Sequence, residues 1–374
     1  MTAKRVLITG GAGFIGSYVA DELLRHGYTV RGLDNLDAQV HGTEHKRPAY
    51  LHSDVELLVG DVRDSDAVQK ALQDVDAVFH FAALVGVGQS MYEMRRYTDV
   101  NNGGTATLLE CLMRRPVERL VVASSMSVYG EGLYHGPNGC PLAARERTRA
   151  QFEAHDWETV GLNNEPLTAV ATPEWKAPAL ASVYALSKYD QERLCLVAGA
   201  AYNIPTVALR FFNAFGPRQA LSNPYTGVLA IFASRFLNNK PPLINEDGQQ
   251  KRDFVSVHDL ARASRLALEA PNAPGNVFNI GGGKPYTVCE IANRMACVLG
   301  CEHIAPEVTG KYRFGDIRHC YADISRARDV LGYEPRVGLE QGLIELAQWL
   351  ETQTADDRAE DAQAELARRG LAIG

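Results

Sequence analysis

The sequence has no excess of positive charge, no C-x-x-C cysteine pair and no long uncharged hydrophobic run. Its 38 Lys and Arg residues stand against 45 Asp and Glu residues, which gives a formal net charge of −7 at pH 7. Nucleic-acid binding depends on positive side chains that neutralise phosphates, so nucleic acid is not an expected partner. No 18-residue stretch is free of charged residues, so a membrane-spanning helix and a membrane partner are not expected either.

The cysteines and histidines do not form a metal-binding pattern. The seven cysteines are odd in number and widely spaced, which is typical of reduced thiols. His41 and His45 have the spacing of helical metal ligands, but Gly42 between them favours a loop, and no metal site is predicted. Only Met1–Arg5 precede the apolar run Val6–Ile8, too few residues for a secretory signal, and the expected location is the cytoplasm.

Short apolar runs bounded by Gly, Asp or Ser alternate with longer helical patterns. This alternation is typical of β-α-β units, and the near-continuous hydrophobicity of the runs predicts parallel strands covered on both faces. The predicted fold class is therefore α/β, with a doubly wound parallel sheet. The strand candidates are Arg5–Thr9, Thr29–Asp34, Val55–Gly60, Ala77–Phe81, Leu120–Ser124, Thr206–Phe212 and Val277–Ile280.

Two segments interrupt this alternation. Residues 131–182 are rich in Pro, Gly, Asn and charge, and both a floppy surface loop and an ordered lid beside the site fit that composition. Residues 351–374 are highly charged, which favours a solvated helix or a frayed tail without an assigned function. The expected domains are residues 1–212 with the insertion, residues 213–350 with some segments returning to the first sheet, and the tail.

A glycine-rich turn directly follows the first predicted strand. Gly10, Gly13 and Gly16 allow a tight turn and a close approach of the backbone to a pyrophosphate at the start of a helix. Asp34 ends the second strand, where a carboxylate accepts hydrogen bonds from ribose hydroxyls and repels a 2′-phosphate, so NAD is favoured over NADP. Asp61, at the end of the third strand, is suited to contact adenine, and the alternative is a carboxylate that caps a loop.

Tyr184 and Lys188 are four residues apart at the start of a helical pattern, so their side chains share one face. A cation close to a phenol favours the phenolate, which makes the tyrosine a usable base near neutral pH. Ser125 ends a strand at the edge where doubly wound sheets bind ligands, and its hydroxyl is suited to hold a substrate oxygen. Taken singly, a serine in that position is more often a local cap.

Together these motifs resemble the extended short-chain dehydrogenase/reductase superfamily and, within it, the nucleotide-sugar epimerases and dehydratases. The resemblance covers about residues 4–350 and implies an NAD-binding Rossmann sheet followed by a smaller nucleotide-sugar-binding domain. It rests on Gly10–Gly16, Asp34, Asp61, His80–Ala83, Asn101, Ser124–Ser125, Tyr184 with Lys188, Arg210–Asn213, Arg252–Phe254, Asn279–Gly281, and Arg313 with Asp316.

The resemblance also implies roles for individual residues. Tyr184 is expected to be the base, Lys188 its electrostatic activator, Ser125 a hydrogen-bonding partner of the same substrate oxygen, and Asn101 a support for Lys188. The residues expected to hold NAD are Gly10, Gly13, Phe14, Ile15, Gly16, Asp34, Asn35, Asp61, Val62, Phe81, Ala82, Ala83, Tyr184 and Lys188. Those expected to hold the nucleotide sugar are Val87, Ser125, Met126, Asn213, Val228, Arg252, Arg313 and Asp316, of which the arginines can fork onto phosphate oxygens.

One departure from the dehydratases narrows the expected reaction. The 4,6-dehydratases carry an Asp-Glu pair as acid and base where this chain has Met126 and Ser127, which transfer protons poorly. Epimerisation at C4 remains, in which NAD removes a hydride and returns it to the opposite face of a 4-keto sugar. The alternatives are a UDP-glucose/UDP-galactose-type 4-epimerase, another NAD-dependent nucleotide-sugar reductase or decarboxylase and, more remotely, a noncatalytic NAD-binding regulator.

The resemblance extends to the expected sugar and assembly. Val85 stands near the position where UDP-galactose 4-epimerases have a lysine, and three segments look more like chains described as dTDP-L-rhamnose 4-epimerases, which implies a dTDP-6-deoxyhexose substrate. Segments Asp99–Arg114 and Tyr184–Ala201 correspond to helices that pair into a four-helix bundle in similar enzymes, which implies a homodimer. The three segments are Val87–Tyr92, Tyr97–Asn101 and Tyr184–Tyr189.

Overall fold

The computed structural model describes residues 3–221, 223, 225, 227–313, 316–353 and 357–373. Its central sheet has seven parallel strands, numbered here along the chain: β1 (Arg5–Thr9), β2 (Thr29–Asp34), β3 (Glu56–Val59), β4 (Ala77–His80), β5 (Arg119–Ser125), β9 (Thr206–Phe211) and β13 (Val277–Ile280). Their order is β3-β2-β1-β4-β5-β9-β13, so the direction of winding reverses between β1 and β4. This is the doubly wound Rossmann arrangement, and the predicted α/β fold class is confirmed.

Alternate residues of the central strands face two separate hydrophobic cores. Val6 and Ile8 of β1 belong to one core, whereas Leu7 between them belongs to the other. In β4, Phe79 belongs to the first core and Val78 belongs to the second. Because successive side chains of a strand point to opposite faces, a strand covered on both sides reads as a continuous apolar run, which is why these strands are recognisable in the sequence.

Helices cover both faces of the sheet. Helices α1 and α10 pack together on one face, and α3, α6 and α8 pack on the other. A π-helix (Thr98–Gly103) precedes α6, and a 3-10 turn (Met126–Tyr129) follows β5. The helices are α1 (Phe14–Arg25), α2 (Ala38–His41), α3 (Ser65–Ala71), α4 (Val87–Ser90), α5 (Met94–Tyr97), α6 (Gly104–Arg114), α7 (Arg149–Glu153), α8 (Val183–Tyr202), α9 (Val228–Leu237), α10 (Val257–Glu269), α11 (Val288–Val298), α12 (Ser325–Leu331), α13 (Leu339–Leu350) and α14 (Ala359–Arg368).

Most of the chain after residue 212 forms a second layered unit beside the carboxyl edge of the sheet. Helices α9, α11 and α13 enclose a separate core that contains Phe232, Met295 and Leu346. Strand β13 and helix α10 come from this part of the sequence, but they belong to the central sheet and its cover. The short strands here are β10 (Asn213–Phe215), β12 (Lys251–Ser256), β14 (Pro285–Thr287) and β17 (His319–Cys320) in one sheet, and β11 (Leu243–Ile244) paired with β15 (Glu307–Val308).

The insertion 131–182 and the tail both have regular structure. The insertion contains the antiparallel strands β6 (Leu133–His135), β7 (Pro141–Leu142) and β8 (Thr168–Val170), and its Phe152 and Trp157 pack on Tyr312. The tail contains α14 and the strand β18 (Ala372–Ile373), which pairs with β16 (Tyr312–Arg313). Neither segment is a floppy loop or a frayed end over the residues that the structure describes.

The predicted strand ends differ from the observed ones by one residue at several places. Strand β5 is longer than predicted by one residue at each end, Arg119–Ser125 rather than Leu120–Ser124, and β3 is shorter by one residue at each end, Glu56–Val59 rather than Val55–Gly60. Strand β3 is an edge strand that pairs with β2 on one side, so its end residues make few backbone hydrogen bonds to other strands. The apolar pattern of the sequence does not show where such pairing stops. Over the described part of the chain, no helix has the length and hydrophobicity needed to cross a membrane.

Candidate active site

The glycine turn after β1 has room for a phosphate but not for side chains. Gly10 has a φ of +73°, in the left-handed region that favours glycine. A Cβ at Gly16 would lie 2.1 Å from the carbonyl oxygen of Gly10. Helix α1 begins at Phe14, and its N-cap Gly13 supplies no side-chain partner for the first amides, including that of Ile15. These amides therefore remain available to an anion at the helix N-terminus.

Asp34 lies at the carboxyl end of β2, next to the glycine turn. Its carboxylate accepts hydrogen bonds from the backbone N–H of Ala12 at 3.0 Å and of Leu36 at 2.9 Å. The side chain of His41 approaches to 3.7 Å, and burial lowers the pKa of this histidine, which favours its neutral form. The carboxylate is thus held in a fixed orientation beside the phosphate-binding turn, where a ribose belongs in this topology.

The other residues predicted for the cofactor follow the neighbouring strands. Asn35 donates to Asp61 at 3.2 Å, and hydrogen bonds from the Arg63 side chain hold the pKa of the Asp61 carboxyl below its usual value. Phe81 and Ala82 each donate a backbone N–H to Thr9 Oγ1 at 3.2 Å. The remaining two are Val62, which is buried next to Gly104, and Ala83, which follows β4.

Tyr184 and Ser125 come together where α8 begins and β5 ends. Tyr184 is 8% exposed, and its backbone N–H donates to Ser90 Oγ at 3.0 Å. Ser182 caps the helix by accepting from the N–H of Ala185. Burial raises the pKa of the Tyr184 phenol, and a hydrogen bond with Ser125 opposes that rise. The two side chains that the sequence assigns to one substrate oxygen thus lie near each other, and Ser125 Oγ donates to Ser127 Oγ at 3.1 Å.

Lys188 is fully buried in the same helix, but its ammonium donates to Gln191. The distance from Nζ to Gln191 Oε1 is 2.6 Å, and burial lowers the pKa of Lys188 to about 8. The spacing argument expects Lys188 to lower the pKa of Tyr184. Here the net effect on the phenol is a raised pKa, because desolvation of the ring exceeds the favourable interactions.

Asn101 reaches Lys188 through other side chains. It lies in the π-helix, donates from Nδ2 to Ser187 Oγ at 2.9 Å, and its carbonyl oxygen accepts from Thr105 Oγ1 at 2.5 Å. Thr105 Oγ1 in turn accepts from Gln191 Nε2 at 2.9 Å. Asn101 and Lys188 therefore belong to one buried network, with Thr105 and Gln191 between them.

A cavity of about 610 Å³ lies between the carboxyl edge of the central sheet and the second unit. This volume is typical of a small-molecule site. Met126 and Ser127 line it from the end of β5, and Ser182 and Ala185 line it from α8. The predicted substrate residues that line it are Val87, Met126, Asn213, Val228, Arg252, Arg313 and Asp316, whereas Ser125 lies behind them with Tyr184.

Two of the positive groups that line the cavity, Arg252 and Arg313, are oriented by backbone carbonyls and one carboxylate. Arg252 donates from Nη1 to the carbonyl oxygens of Lys251 and Arg318, both at 2.9 Å. Arg313 Nε donates to Asp316 Oδ2 at 3.0 Å, and its side chain is 42% exposed. Neither guanidinium is fully neutralised by a buried partner, so both can meet an anionic ligand.

The insertion is joined to this end of the cavity by Arg147. Its Nη1 donates to Glu246 Oε1 at 2.9 Å, and its Nη2 donates to the carbonyl oxygen of Asp316 at 2.8 Å. Glu246 is buried and has a φ of +54°, an unusual conformation for a residue with a side chain. Arg318 pairs with the other oxygen of Glu246 at 3.2 Å. This end of the cavity is thus built partly by the insertion.

Comparison with known proteins identifies the family. Residues 6–151 and 158–281 match the NAD dependent epimerase/dehydratase family. The chain belongs to this family. It is 36% identical to a dTDP-L-rhamnose 4-epimerase of Burkholderia thailandensis, over 93% of this chain and 95% of that protein. It is 32% identical to a putative UDP-glucose 4-epimerase of Methanocaldococcus jannaschii, over 92% of this chain and 98% of that protein.

Two solved structures share the whole fold. A Thermotoga maritima UDP-glucose 4-epimerase with UDP-glucose superposes with a TM-score of 0.76 and 29% identity, over 93% of this chain and 98% of that one. A Bacillus cereus UDP-glucuronic acid 4-epimerase in complex with UDP-glucuronic acid and NAD has the same TM-score and identity, over 93% of this chain and 99% of that one. The recognition of the superfamily from its motifs is confirmed, and the protein is an NAD-dependent epimerase of this family.

The residues at the carboxyl edge fit NAD. The turn at Gly10–Gly16 leaves space that a Cβ would fill, which suits a pyrophosphate, and Asp34 beside it presents a carboxylate rather than a cation. A 2′-phosphate would meet this carboxylate directly, so the family cofactor fits as NAD. Helix α8, which carries Tyr184, begins at the same edge of the sheet, where β5 ends at Ser125.

Sequence reasoning missed several residues that complete the site. Gln191 was not considered, although a polar residue on the buried face of α8 three positions after Lys188 is a usable signal. Arg147 and Glu246 gave no signal, because their pairing joins residues 99 positions apart. The tail contributes Ala362 and Leu366 to the cavity, although its charged composition favours a solvated segment.

Proposed function

We propose that this protein is a nucleotide-sugar 4-epimerase that acts by transient oxidation at C4. The observation that carries the proposal is the position of Tyr184 and Ser125 directly beside Ala185 and Met126, which line the cavity together with Arg252 and Arg313. A nucleoside diphosphate at the arginines would direct the attached sugar toward the tyrosine. One end of the cavity would thus bind the nucleotide, and the other end would accept the proton from the sugar.

In the proposed reaction, the chain's own residues bind the substrate and move one proton. Arg252 and Arg313 hold the diphosphate, and Ser125 donates a hydrogen bond to the oxygen on C4. The phenolate form of Tyr184 accepts the proton of that hydroxyl, which leaves the neutral phenol, and the phenol later returns the proton. The glycine turn and Asp34 would hold NAD, which would supply the acceptor and donor of the C4 hydride. Inversion requires the flat 4-keto sugar to present its other face before the hydride returns.

The residues next to Ser125 favour epimerisation over dehydration. Elimination of water across C5 and C6 needs an acid and a base, whereas Met126 and Ser127 occupy the two positions after Ser125 and line the cavity. A thioether does not transfer a proton, and an aliphatic hydroxyl is a weak acid and a weak base. Removal and return of the C4 hydride do not require an acid and a base at these two positions.

We propose a dTDP-6-deoxyhexose, such as dTDP-L-rhamnose, as the substrate. The 36% identity to the Burkholderia thailandensis enzyme supports this choice. The sugar end of the cavity is lined by Val87 and Met126, and apolar side chains are compatible with a methyl group at C5. UDP-glucose and UDP-glucuronic acid are the second choice, because solved relatives contain them.

The test uses the protein as purified, without added NAD. We would incubate it separately with dTDP-L-rhamnose, UDP-glucose, UDP-galactose and UDP-glucuronic acid, and follow the configuration at C4 by proton NMR. The expected result is a mixture of two C4 epimers with no net change in NADH absorbance. Stoichiometric consumption of added NAD, release of carbon dioxide, or unchanged C4 configuration in all four substrates would contradict the proposal.

We also propose that the enzyme is a homodimer that buries the outer faces of α6 and α8. Apolar side chains on these helices support the proposal: Met113 is 40% exposed, Leu186 46%, Leu194 39% and Val197 59%. Several exposed apolar side chains on two packed helices are compatible with a protein interface. Light scattering should give the mass of two chains, and Val197→Asp should shift it toward one. A wild-type mass of one chain at every concentration would contradict the dimer.

A further inference from the structure

The C-terminal segment 357–373, to which the sequence assigns no role, lies along the cavity. Its helix α14 contributes Ala359, Ala362, Gln363 and Leu366 to the lining. Ala362 is 8% exposed and Leu366 4%. Both are therefore removed from solvent by contact with the rest of the protein. The segment forms a wall of the cavity rather than a solvated appendage.

Buried charges fix the start of this segment to α9. The guanidinium of Arg235, which itself lines the cavity, donates to Asp357 at 3.0 Å and to Glu360 at 2.7 Å. Lys240 adds a second contact to Asp357 at 3.0 Å. Burial raises the pKa of Asp357, but a backbone hydrogen bond from Ala359 and the two cations outweigh it and lower the pKa overall. The carboxylate form is thus favoured in the docked segment.

The end of the segment is fixed next to the diphosphate-binding arginine. In the antiparallel pair β16–β18, Arg313 lies opposite Ala372, and Tyr312 lies opposite Ile373. Strand β16 has only two residues, so its position depends on such neighbours. Removing β18 would therefore loosen the backbone that carries Arg313.

Between these two ends, α14 packs over the sugar end of the cavity. Both δ carbons of Leu366 lie 3.3 Å from the position that a Cβ of Gly88 would occupy, next to the predicted substrate residue Val87. The guanidinium of Arg369 lies 4.3 Å from the ring centroid of Tyr92, which is a cation–π contact. The ten residues of α14 span about 15 Å, enough to cover a sugar and a phosphate.

We propose that residues 357–373 are part of the nucleotide-sugar site and close it over the bound substrate. Asp357 and Glu360 are positioning residues that act through Arg235, and Leu366 forms the apolar wall beside the sugar. The inference rests on the proposed function for the identity of the ligand, a nucleoside diphosphate sugar. It predicts that the segment increases substrate affinity and leaves the proton-transfer residues unchanged.

The first experiment compares the full chain with a variant that ends at Gln353. Calorimetry measures the Kd of dTDP and UDP, and steady-state assays measure KM and kcat with the sugar accepted in the NMR test. We expect the Kd and KM to rise about tenfold or more in the shortened chain, with kcat within about twofold, because the lost contacts hold substrate but do not react. Retained NAD and an unchanged far-ultraviolet spectrum would show that the shortened chain is folded.

A second set of variants keeps the chain length. The double variant Asp357→Asn/Glu360→Gln removes both partners of Arg235, and the matched control Asp361→Asn makes the same type of change at an exposed position of α14. The double variant should raise the KM about threefold to tenfold, and the control should not change it. Leu366→Ala should raise the KM for the nucleotide sugar while leaving the Kd of dTDP unchanged, since dTDP has no sugar beyond the phosphates.

The outcomes separate this inference from the proposed function. If the full chain binds dTDP or UDP but inverts no sugar, the proposed function fails. The Kd values then still test whether residues 357–373 contribute to nucleotide binding. An unchanged or lower Kd and KM in both the shortened chain and the double variant would overturn the inference, because the segment would then be neutral or inhibitory. A full chain that binds neither nucleotide would overturn both.

Discussion

The wall of the cavity that leads to Tyr184 and the wall that carries Leu366 face the same ligand space but differ in what holds them. Tyr184 and Lys188 lie in a 20-residue helix packed on the central sheet, and Ser125 ends a strand with a partner on each side. Leu366 lies in a ten-residue helix held mainly by ion pairs and a two-residue strand. Packing on the central sheet fixes the proposed reacting groups, whereas ion pairs and a short strand fix the cover.

The difference in packing between the two walls suits proton transfer at one wall and covering of the substrate at the other. A base and its hydrogen-bonding partner must keep their geometry to within a fraction of an ångström through turnover, which a packed core provides. A cover over a nucleotide sugar must let substrate enter and product leave, which requires a part of the protein with a lower free energy of opening. The following predictions are arranged by the size of the expected effect.

Tyr184→Phe should cause the largest loss of activity. It removes the hydroxyl that accepts the proton, and general acid–base groups contribute about 10² to 10⁴-fold to rates. The kcat should fall by roughly that factor, while the Kd of dTDP and the amount of bound NAD stay the same. Tyr189→Phe, which removes a hydroxyl from the same helix, is the matched control and should retain nearly full activity. Comparable losses in both variants would contradict the special role of Tyr184.

The pH profile tests the buried network behind Tyr184. Burial lowers the pKa of Lys188 to about 8, so the ammonium loses its proton as the pH rises through this value. If the charged form supports catalysis, kcat/KM should fall about tenfold per pH unit above that point. The stability changes in the other direction. Since the unfolded lysine holds its proton up to 10.5, the contribution of Lys188 to the free energy of unfolding rises between pH 8 and 10.5.

Gln191→Met sharpens the same test without touching a reacting group. The carbonyl oxygen of Gln191 accepts from the ammonium at 2.6 Å and thereby stabilises its charged form. Loss of this acceptor should lower the pKa of Lys188 and shift the alkaline limb of kcat/KM to lower pH. A variant with reduced activity but an unshifted limb would show that Gln191 serves only the packing of α8.

Arg147→Ala should weaken the nucleotide end of the cavity without altering proton transfer. The change removes one of two cationic partners of the buried Glu246 and a hydrogen bond to the Asp316 carbonyl. Leaving a buried charge partly unpaired costs roughly 3 kcal/mol of unfolding free energy, measurable by denaturant titration. The KM should rise several-fold with kcat nearly constant.

Arg149→Ala is the control for that experiment. Arg149 lies two residues further along the insertion and pairs with Glu153 at the surface, where ion pairs contribute little. Equal effects of the two substitutions on KM would contradict the link between the insertion and the nucleotide site.

The wall with the reacting groups is predictable from the sequence, and the opposite wall is not. Gly10, Asp34, Ser125 and Tyr184 occur at fixed places in β-α-β units, so local patterns place them at one edge of the sheet. The role of residues 357–373 depends on contacts such as that between Arg235 and Asp357, which are 122 positions apart. Charged composition alone favours solvent for such a segment, because it does not reveal that the charges have buried partners.

The orientation of Lys188 shows a second limit of sequence reasoning. A four-residue spacing correctly puts Tyr184 and Lys188 on one face of α8, but it does not specify which acceptor the ammonium contacts. The structure shows that the acceptor is Gln191, three residues further on, at 2.6 Å from the ammonium. The effect of Lys188 on the pKa of the Tyr184 phenol depends on which acceptor the ammonium contacts. Predicting that effect requires the positions of all the neighbouring groups.

The most direct test of the account is the fate of the hydrogen on C4. We would incubate the purified protein, without added NAD, with a dTDP-L-rhamnose that carries deuterium at C4, and analyse the product by NMR and mass spectrometry. The account predicts a C4 epimer that retains the deuterium at C4, because one protein-bound cofactor removes and returns the same hydride. Loss of the deuterium to solvent, or transfer of it to free NADH without an inverted sugar, would contradict the account.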